Sequence, residues 1–191
     1  MLSTLSARGF VERHKDGRYV AGASMRALAA TVSRTEPLYE LAGPHLEELA
    51  ATTRETSNLA IAIDARRALY LRQVASPRLV QTVSWTGRTI PLRGTAVGAA
   101  LTGGVGCGEY TATRRTIEPD VTAVAAPVFA ADGRIVCAIS VIAPTYRTSD
   151  DDVASHGGAL VAHAAAMSAA LGCSAQAAPG EPIAAPSRRS G

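Results

Sequence analysis

Cysteine and histidine are the residues of this 191-residue chain that could bind a metal or act as nucleophiles. The three cysteines, Cys107, Cys137 and Cys173, lie far apart and form no CxxC pair, and the four histidines are equally scattered. This spacing argues against disulfides and against a cysteine-based zinc site, and it is typical of a reduced cytosolic protein. We therefore expect no metal and no other cofactor.

The sequence also shows no group of side chains at the spacing expected of a catalytic site. Neither a carboxylate pair nor a Ser-His-Asp or Cys-His arrangement stands out. Cys107, in the glycine-rich segment TGGVGCG, is the candidate nucleophile for a cysteine-dependent enzyme, but no His or Lys adjoins it to favour the thiolate. The same segment lacks the Lys and Ser/Thr of a phosphate-binding loop. We expect the protein not to be an enzyme.

Basic residues at the N-terminus have a pattern that suits contact with DNA. The first 22 residues contain four basic and two acidic side chains, in a chain whose net charge is +3. Residues 1–7 are helix-like, and two short strands, residues 10–13 and 18–20, flank the turn pair Asp16-Gly17. A helix followed by a basic hairpin is typical of the back half of a winged helix, in which the helix enters the major groove. An ordinary helix and hairpin with solvated charges is the alternative.

The rest of the chain predicts an α+β domain. Two apolar runs, residues 121–130 and 134–143, flank Asp132-Gly133, as in a central hairpin covered on both faces. Ser140 is the polar exception on its face. The other predicted elements are helices over 23–34 and from Pro37, strands over 57–63, 68–74 and 79–85, a loop over 87–92, a short helix over 95–101 capped by Gly94 or Thr95, and a helix from the Ser149–Asp152 capping box to Gly172. Hairpins dominate this order, so we expect a largely antiparallel sheet flanked by helices.

Four passages of the chain resemble the IclR family of bacterial transcription regulators and follow one another in the family's order. They are LSARGFVERHKDGRYVAG (residues 5–22), LAGPHLEELAATTRETSNLAI (41–61), GRTIPLRGTAVGAAL (87–101) and VTAVAAPVFAADGRIVCAISVIAPTYR (121–147). Members of this family have an N-terminal winged helix-turn-helix, a linker helix and a GAF-like C-terminal domain that binds a small effector. They act as dimers or tetramers on operator DNA.

The resemblance implies four regions. Residues 1–22 correspond to the end of a recognition helix and its wing, residues 23–36 to the linker helix, residues 37–172 to the GAF-like effector domain, and residues 173–191 to a disordered tail. Because the family's first two helices have no counterpart ahead of Met1, we interpret the winged helix as truncated. The glycine-rich link over 102–109 is shorter than in relatives, so we interpret the effector domain as shortened.

The resemblance also implies two sets of site residues. The set expected to contact DNA is Ser3, Thr4, Arg8, Arg13, His14, Lys15 and Arg18. The set expected to line an effector pocket, between the start of the short helix and the final hairpin, is Thr95, Ala96, Val97, Ala123, Ser140 and Ile142. Backbone N–H groups at a helix start can hold a carboxylate, which suits a small organic acid. Whether Ser140 contacts a ligand or is plain core stays open.

The leading hypothesis is a DNA-binding transcription regulator of the IclR type controlled by a small organic or aromatic acid. The alternative is a stand-alone sensor or dimerisation module that has lost specific DNA binding. The expected partners are operator DNA, a small-molecule effector and further copies of the chain as a homodimer or homotetramer. No membrane partner is expected, because no apolar run reaches transmembrane length.

Overall fold

Residues 2–28 and 37–173 are described by the computed structural model, and the chain divides into two units at the junction of Glu40 and Leu41. The first unit contains helix α1 (Leu2–Ala7) and an antiparallel hairpin of β1 (Val11–Arg13) and β2 (Tyr19–Ala21). Gly17 at the hairpin tip has φ +85, which glycine adopts without strain. Residues 23–28 are helical. The remainder of the predicted linker helix and residues 174–191 of the predicted tail lie outside the described residues.

A six-stranded antiparallel sheet forms the centre of the second unit. Its strand order is β5-β4-β3-β8-β7-β6, which places the predicted hairpin of β7 and β8 next to β3. The strands are β3 (Thr56–Ala62), β4 (Arg67–Val74), β5 (Thr89–Pro91), β6 (Thr111–Arg114), β7 (Val121–Phe129) and β8 (Ile135–Pro144). Gly133, at φ +79, makes the tight turn between β7 and β8. The α+β prediction with a largely antiparallel sheet is confirmed.

Helices cover both faces of this sheet. Helix α3 (Ala96–Leu101) packs on the face that carries Ala60, Ala138 and Ile142. The alternate side chains of β7 and β8, which point to the other face, are also fully buried. On that side α4 (Asp150–Ala170) packs on β7 and β8, and α2 (Pro37–Thr53) is tied to β3 by the Ser57 hydroxyl. Among the described residues no helix is long and apolar enough to cross a membrane.

The predicted helix starts are present. Thr95 is the N-cap of α3, and its hydroxyl accepts a hydrogen bond from the Gly98 N–H. Ser149 and Asp152 form the predicted capping box at α4, with three Asp residues in the first turn of the helix. Gly172, at φ +82, follows the end of α4. These caps fix where each helix begins or ends relative to the sheet.

The predicted third strand over residues 79–85 is wrong. That segment forms no strand, and Leu79, Val80 and Val83 in it are exposed. The edge of β4 is instead paired with Thr89–Pro91, within the segment predicted as a loop. Because this short strand already occupies the edge of β4, the apolar alternation of residues 79–85 has no sheet partner. The structure also contains β6, a half-exposed edge strand beside β7 that the sequence did not indicate.

Candidate functional site

A cavity of about 40 Å³ lies between the start of α3 and the sheet face beneath it. This volume is enough for about three water molecules, so a larger ligand requires the wall to move outward. Its wall is mostly apolar and aromatic, and Tyr70, Trp85, Ile90 and Val121 contribute to it. A concave apolar site with a few polar groups is the usual form of a small-molecule site.

The structure brings five of the six residues predicted for an effector site together in this wall. They are Thr95, Ala96, Val97, Ala123 and Ile142. The sixth, Ser140, is fully buried on the same sheet face and does not line the cavity. Effector binding by these six residues stays a prediction.

Helix α3 is held against the end of β5 by two close contacts. The Thr95 hydroxyl donates to the Pro91 carbonyl at 2.9 Å while it accepts from the Gly98 N–H at 3.0 Å. Gly98 itself lies directly on the backbone of Leu92, where an added Cβ would stand 1.6 Å from the carbonyl oxygen. These contacts set the position of the wall residues Ala96 and Val97.

Two aromatic rings form another wall. Tyr70 and Trp85 meet edge to face with ring centroids 6.2 Å apart, and the Arg88 guanidinium lies 5.6 Å from the Trp85 ring. The Trp85 backbone N–H donates to the Gln73 side chain at 2.9 Å. Burial raises the pKa of Tyr70 to about 12, and the nearby Ser140 hydroxyl only partly opposes this rise. Tyr70 is therefore neutral at pH 7, with an O–H group available to donate.

The charge in the cavity wall is negative. Glu118, which is solvent-exposed, is the one residue with a charged side chain among the described residues that line the cavity. Arg93, which precedes the helix start, is solvent-exposed and is not in the wall. A ligand with a single carboxylate therefore has to be held by hydroxyl and backbone donors rather than by an ion pair.

Asn58 is a residue of this site region that the sequence reading missed. It is fully buried on β3, directly opposite Ser140 on β8, and neither side chain has a hydrogen-bond partner. Sequence offered little to single out this residue, because an isolated Asn in an apolar strand gives no spacing pattern. Asn58 stands out only because it pairs across the strands with Ser140, which is more than eighty positions away in sequence.

The residues predicted to contact DNA are all exposed in the first unit. Ser3, Thr4 and Arg8 are on or next to α1, and Arg13, His14, Lys15 and Arg18 surround the hairpin tip. Arg18 is paired with Asp16 at 2.6 Å, and this hydrogen bond is the main reason that the pKa of the Asp16 carboxyl is lowered. Arg13 and Lys15 are the charges of the tip that lie outside this ion pair. DNA contact by these residues stays a prediction.

Cysteine chemistry finds little support in the described residues. Cys137 is fully buried, and burial raises the pKa of its thiol to about 12, which disfavours the reactive thiolate. Cys107 is exposed on the glycine-rich link. The described part of the chain contains no group of three or more His, Cys, Asp or Glu residues that could hold a metal.

The chain resembles known regulators in both sequence and fold. It is 25% identical over 208 residues to the HTH-type transcriptional regulator XynR of Escherichia coli (strain K12), a match that covers 90% of this chain and 82% of that protein. An IclR transcriptional regulator from Alicyclobacillus acidocaldarius superposes with a TM-score of 0.77 at 22% identity, covering 88% of this chain and 82% of the other.

A third similar protein was solved with a ligand. It is an IclR homolog from Microbacterium hydrocarbonoxydans in complex with 4-hydroxybenzoate, with a TM-score of 0.71 and 20% identity over 89% of this chain and 82% of that one. The family model for the bacterial transcriptional regulator IclR C-terminal domain matches residues 29–103 and 108–169. Because that match spans most of the chain, the protein belongs to the IclR family of bacterial transcriptional regulators.

Proposed function

We propose that this protein is a DNA-binding transcription regulator whose effector is a small organic or aromatic acid bound in the cavity beside α3. The observation that carries the proposal is the cavity itself, which has two aromatic rings, an apolar sheet face and the start of a helix as walls. Aromatic and aliphatic walls suit the body of such an acid. The ligand of the Microbacterium relative, 4-hydroxybenzoate, is of this class.

The polar groups of the wall favour an acid with one carboxylate. Thr113 and Thr116 line the cavity, and a threonine hydroxyl can donate to a carboxylate oxygen. The Thr116 hydroxyl makes only a long contact of 3.5 Å to the Arg114 carbonyl, which a carboxylate would replace. Glu118 in the same wall repels anions, and the repulsion grows with the number of charges on the ligand. We therefore propose monocarboxylic acids rather than dicarboxylic acids as the effectors.

Thermal-shift measurements with small carboxylic and aromatic acids test the effector proposal. A ligand that binds only the folded state raises the melting temperature. Ala123 lines the cavity and is only half-buried, so Ala123→Phe should fill the site and abolish the shift. Ala112, the exposed residue beside the wall residue Thr113 on β6, gives the matched control Ala112→Phe, which should keep the shift. Ligand shifts that survive Ala123→Phe would place the binding site elsewhere.

The DNA-binding half of the proposal rests on the exposed basic tip of the first unit. Arg13 and Lys15 can each contact a phosphate, and each such contact makes binding weaker as salt rises. Fluorescence anisotropy on duplex DNA at several salt concentrations should show the plot of log K against log salt becoming shallower by about 2 in Arg13→Ala/Lys15→Ala. Arg18→Ala should change it less, because Arg18 is paired with Asp16. Absence of DNA binding at low salt would favour the sensor or dimerisation module.

A further inference from the structure

Two polar side chains on the sheet face beside the cavity have no hydrogen-bond partner. Asn58 Oδ1, Asn58 Nδ2 and Ser140 Oγ are all buried and unpaired, and both residues are fully closed off from solvent. Asn58 of β3 and Ser140 of β8 are direct partners in the antiparallel ladder, so the unpaired atoms lie in one place. Buried polar groups are nearly always hydrogen-bonded, and a cluster that is not requires an explanation.

Buried polar residues elsewhere in the second unit show what a structural role looks like. Ser168 Oγ donates to the Ala164 carbonyl at 2.7 Å and accepts from the Phe129 N–H at 2.9 Å. Its hydroxyl thus holds α4 to the end of β7. Asn58 and Ser140 make no comparable hydrogen bond and hold no element in place. Two apolar side chains at these positions would therefore make the folded protein more stable.

The unpaired cluster lies on the same sheet face as residues that line the cavity, although neither Asn58 nor Ser140 lines it. Strand β3 runs between β4 and β8, whose residues Tyr70 and Ile142 line the cavity. Because side chains two apart on a strand share a face, Asn58 points to the same side as Ala60, the ladder partner of Tyr70. Ser140 in turn shares its face with Ile142.

Tyr70 contacts both the cavity and the cluster. It lines the cavity, and its hydroxyl lies close enough to Ser140 to oppose the rise in the pKa of the Tyr70 phenol. The contact is not a well-formed hydrogen bond, so the Ser140 hydroxyl stays available to a ligand. Its aromatic neighbour Trp85 belongs to residues 75–88, which form no helix or strand. A ligand that reaches Asn58 and Ser140 therefore does so by turning the Tyr70 ring aside.

We infer that Asn58 and Ser140 bind the inner end of the ligand, and that this end is an uncharged group that both donates and accepts hydrogen bonds, such as a hydroxyl or a primary amide. The inference rests on the proposed effector site. The Asn58 amide offers a donor and an acceptor, and the Ser140 hydroxyl can serve as either. A group with both functions can pair all three atoms at once.

A carboxylate does not suit this inner position. It would face the Asn58 carbonyl oxygen, and among the described residues no basic side chain lines the cavity to balance its charge. The acid group of the ligand therefore lies toward the hydroxyls of Thr113 and Thr116, and the hydroxyl or amide end faces Asn58. The effectors are hydroxy acids or amide acids rather than simple apolar acids.

Matched probe pairs test this assignment. One pair is 4-hydroxybenzoate and 4-methylbenzoate, which are similar in shape, and a smaller pair is 3-hydroxypropionate and butyrate. Titration of the full chain should show a preference of about tenfold or more in Kd for the hydroxyl-bearing member of at least one pair. Asn58→Leu and Ser140→Ala should reduce that preference to about twofold or less, whereas Ser168→Ala should keep it.

Melting temperatures of the free protein give a second readout that needs no ligand. Asn58→Leu and Ser140→Ala should leave the melting temperature unchanged or raise it, because they remove unpaired polar atoms. Ser168→Ala should lower it, because the Phe129 N–H loses its acceptor. If Asn58→Leu and Ser140→Ala lower it as much as Ser168→Ala does, the two side chains have structural partners such as a buried water, and the inference is wrong.

The probes also separate failure of this inference from failure of the proposed effector site. Suppose that the probes bind, that Ala123→Phe abolishes this binding, and that the hydroxyl-bearing probes are not preferred. The inference would then be wrong, but the proposed effector site would still be supported. A hydroxyl preference that persists in Asn58→Leu would have the same consequence. If none of the four probes binds in a way that Ala123→Phe abolishes, both the inference and the proposed acid site are wrong.

Discussion

Glu55 is a buried carboxylate whose charge is balanced by Arg147. Two hydrogen bonds of 2.8 and 2.9 Å join the guanidinium to the two carboxylate oxygens, and Glu55 is only 4% exposed. Arg147→Ala leaves the carboxylate buried with the more distant Arg78, 3.7 Å away, so we expect a loss of about 3 kcal/mol in the free energy of unfolding. Urea denaturation measures this loss.

A second ion pair in the same unit provides the control for Arg147. Arg134 and Asp132 are joined at 2.6 Å, but both side chains are more than half exposed. Exposed ion pairs contribute little, so Arg134→Ala should cost less than about 1 kcal/mol. Equal losses for Arg147→Ala and Arg134→Ala would show that burial of the Glu55 pair does not matter to stability.

The two facing histidines of α2 and α4 make stability depend on pH. His45 Nδ1 and His163 Nδ1 are 3.0 Å apart, so one ring must donate an N–H to the lone pair of the other. Burial first and the facing His163 second lower the pKa of His45, against a smaller opposing effect of Glu48. Between the lowered pKa and the usual value of 6.5 the unfolded chain binds more protons, so stability falls as pH drops below 6.5.

Replacing His45 by Gln should therefore make the fall in stability between pH 7 and pH 5 shallower. Thermal unfolding across this pH range measures it. His156, whose pKa is also lowered, mainly by burial, should keep part of the dependence in the His45→Gln protein. A pH dependence identical to that of the unchanged chain would show that the His45–His163 contact does not govern acid stability.

Among the elements, α3 has the tightest fit, because one glycine allows it to lie on the end of β5. An alanine at Gly98 would place its Cβ 1.6 Å from the Leu92 carbonyl oxygen, and rigid backbone cannot give way as a side chain can. Gly98→Ala should cost about 3 kcal/mol or more. It should also abolish the ligand shifts, because Ala96 and Val97 of the cavity wall move with the helix. Chemical denaturation and the acid screen measure the two effects.

The control for Gly98 lies in α4. An added Cβ at the exposed Gly158 meets nothing within 4 Å, so Gly158→Ala should stabilise the protein by about 0.5–1 kcal/mol through helix propensity. If Gly98→Ala behaved like Gly158→Ala, the close packing of α3 on β5 would not be needed for the fold or for the cavity.

At the scale of elements the sequence predicted what local chemistry determines. The turn at Asp132-Gly133 and the caps at Thr95 and Ser149 each depend on residues within a few positions, and all are present. The sequence-based prediction failed where strand formation depends on a pairing partner that is distant in sequence. Residues 79–85 alternate like a strand but lack a free sheet edge, whereas the polar β6 is a strand because β7 offers one.

The same limit applies to the candidate site. The wall residues Thr95, Ala96 and Val97 follow a recognisable helix start, so the sequence located them. Asn58 could not be found in this way, because its significance arises from the pairing of β3 with β8 and from the absence of a hydrogen-bond partner. Only the folded chain shows either fact.

For the whole molecule, the exposed apolar residues predict self-association as a homodimer or homotetramer. Met25 and Leu28, on the helical residues 23–28, are 40% and 53% exposed. An exposed apolar stripe on a helix is typical of an interface between copies, because pairing removes it from water. Sedimentation at tens of micromolar, where interfaces of ordinary size usually hold, should show an oligomer, and Met25→Glu/Leu28→Glu should dissociate it.

A second exposed apolar surface provides the control that tests which residues form that interface. Leu79 and Val83, on the segment without regular structure in the second unit, are 102% and 65% exposed. Leu79→Glu/Val83→Glu introduces the same charge change as the helix variant, and it should leave the oligomer intact if the helical residues form the interface. Dissociation by the loop variant alone would assign the interface to the second unit. A monomer formed by the unchanged chain at this concentration would contradict self-association, because the Met25 and Leu28 side chains would then remain exposed to water.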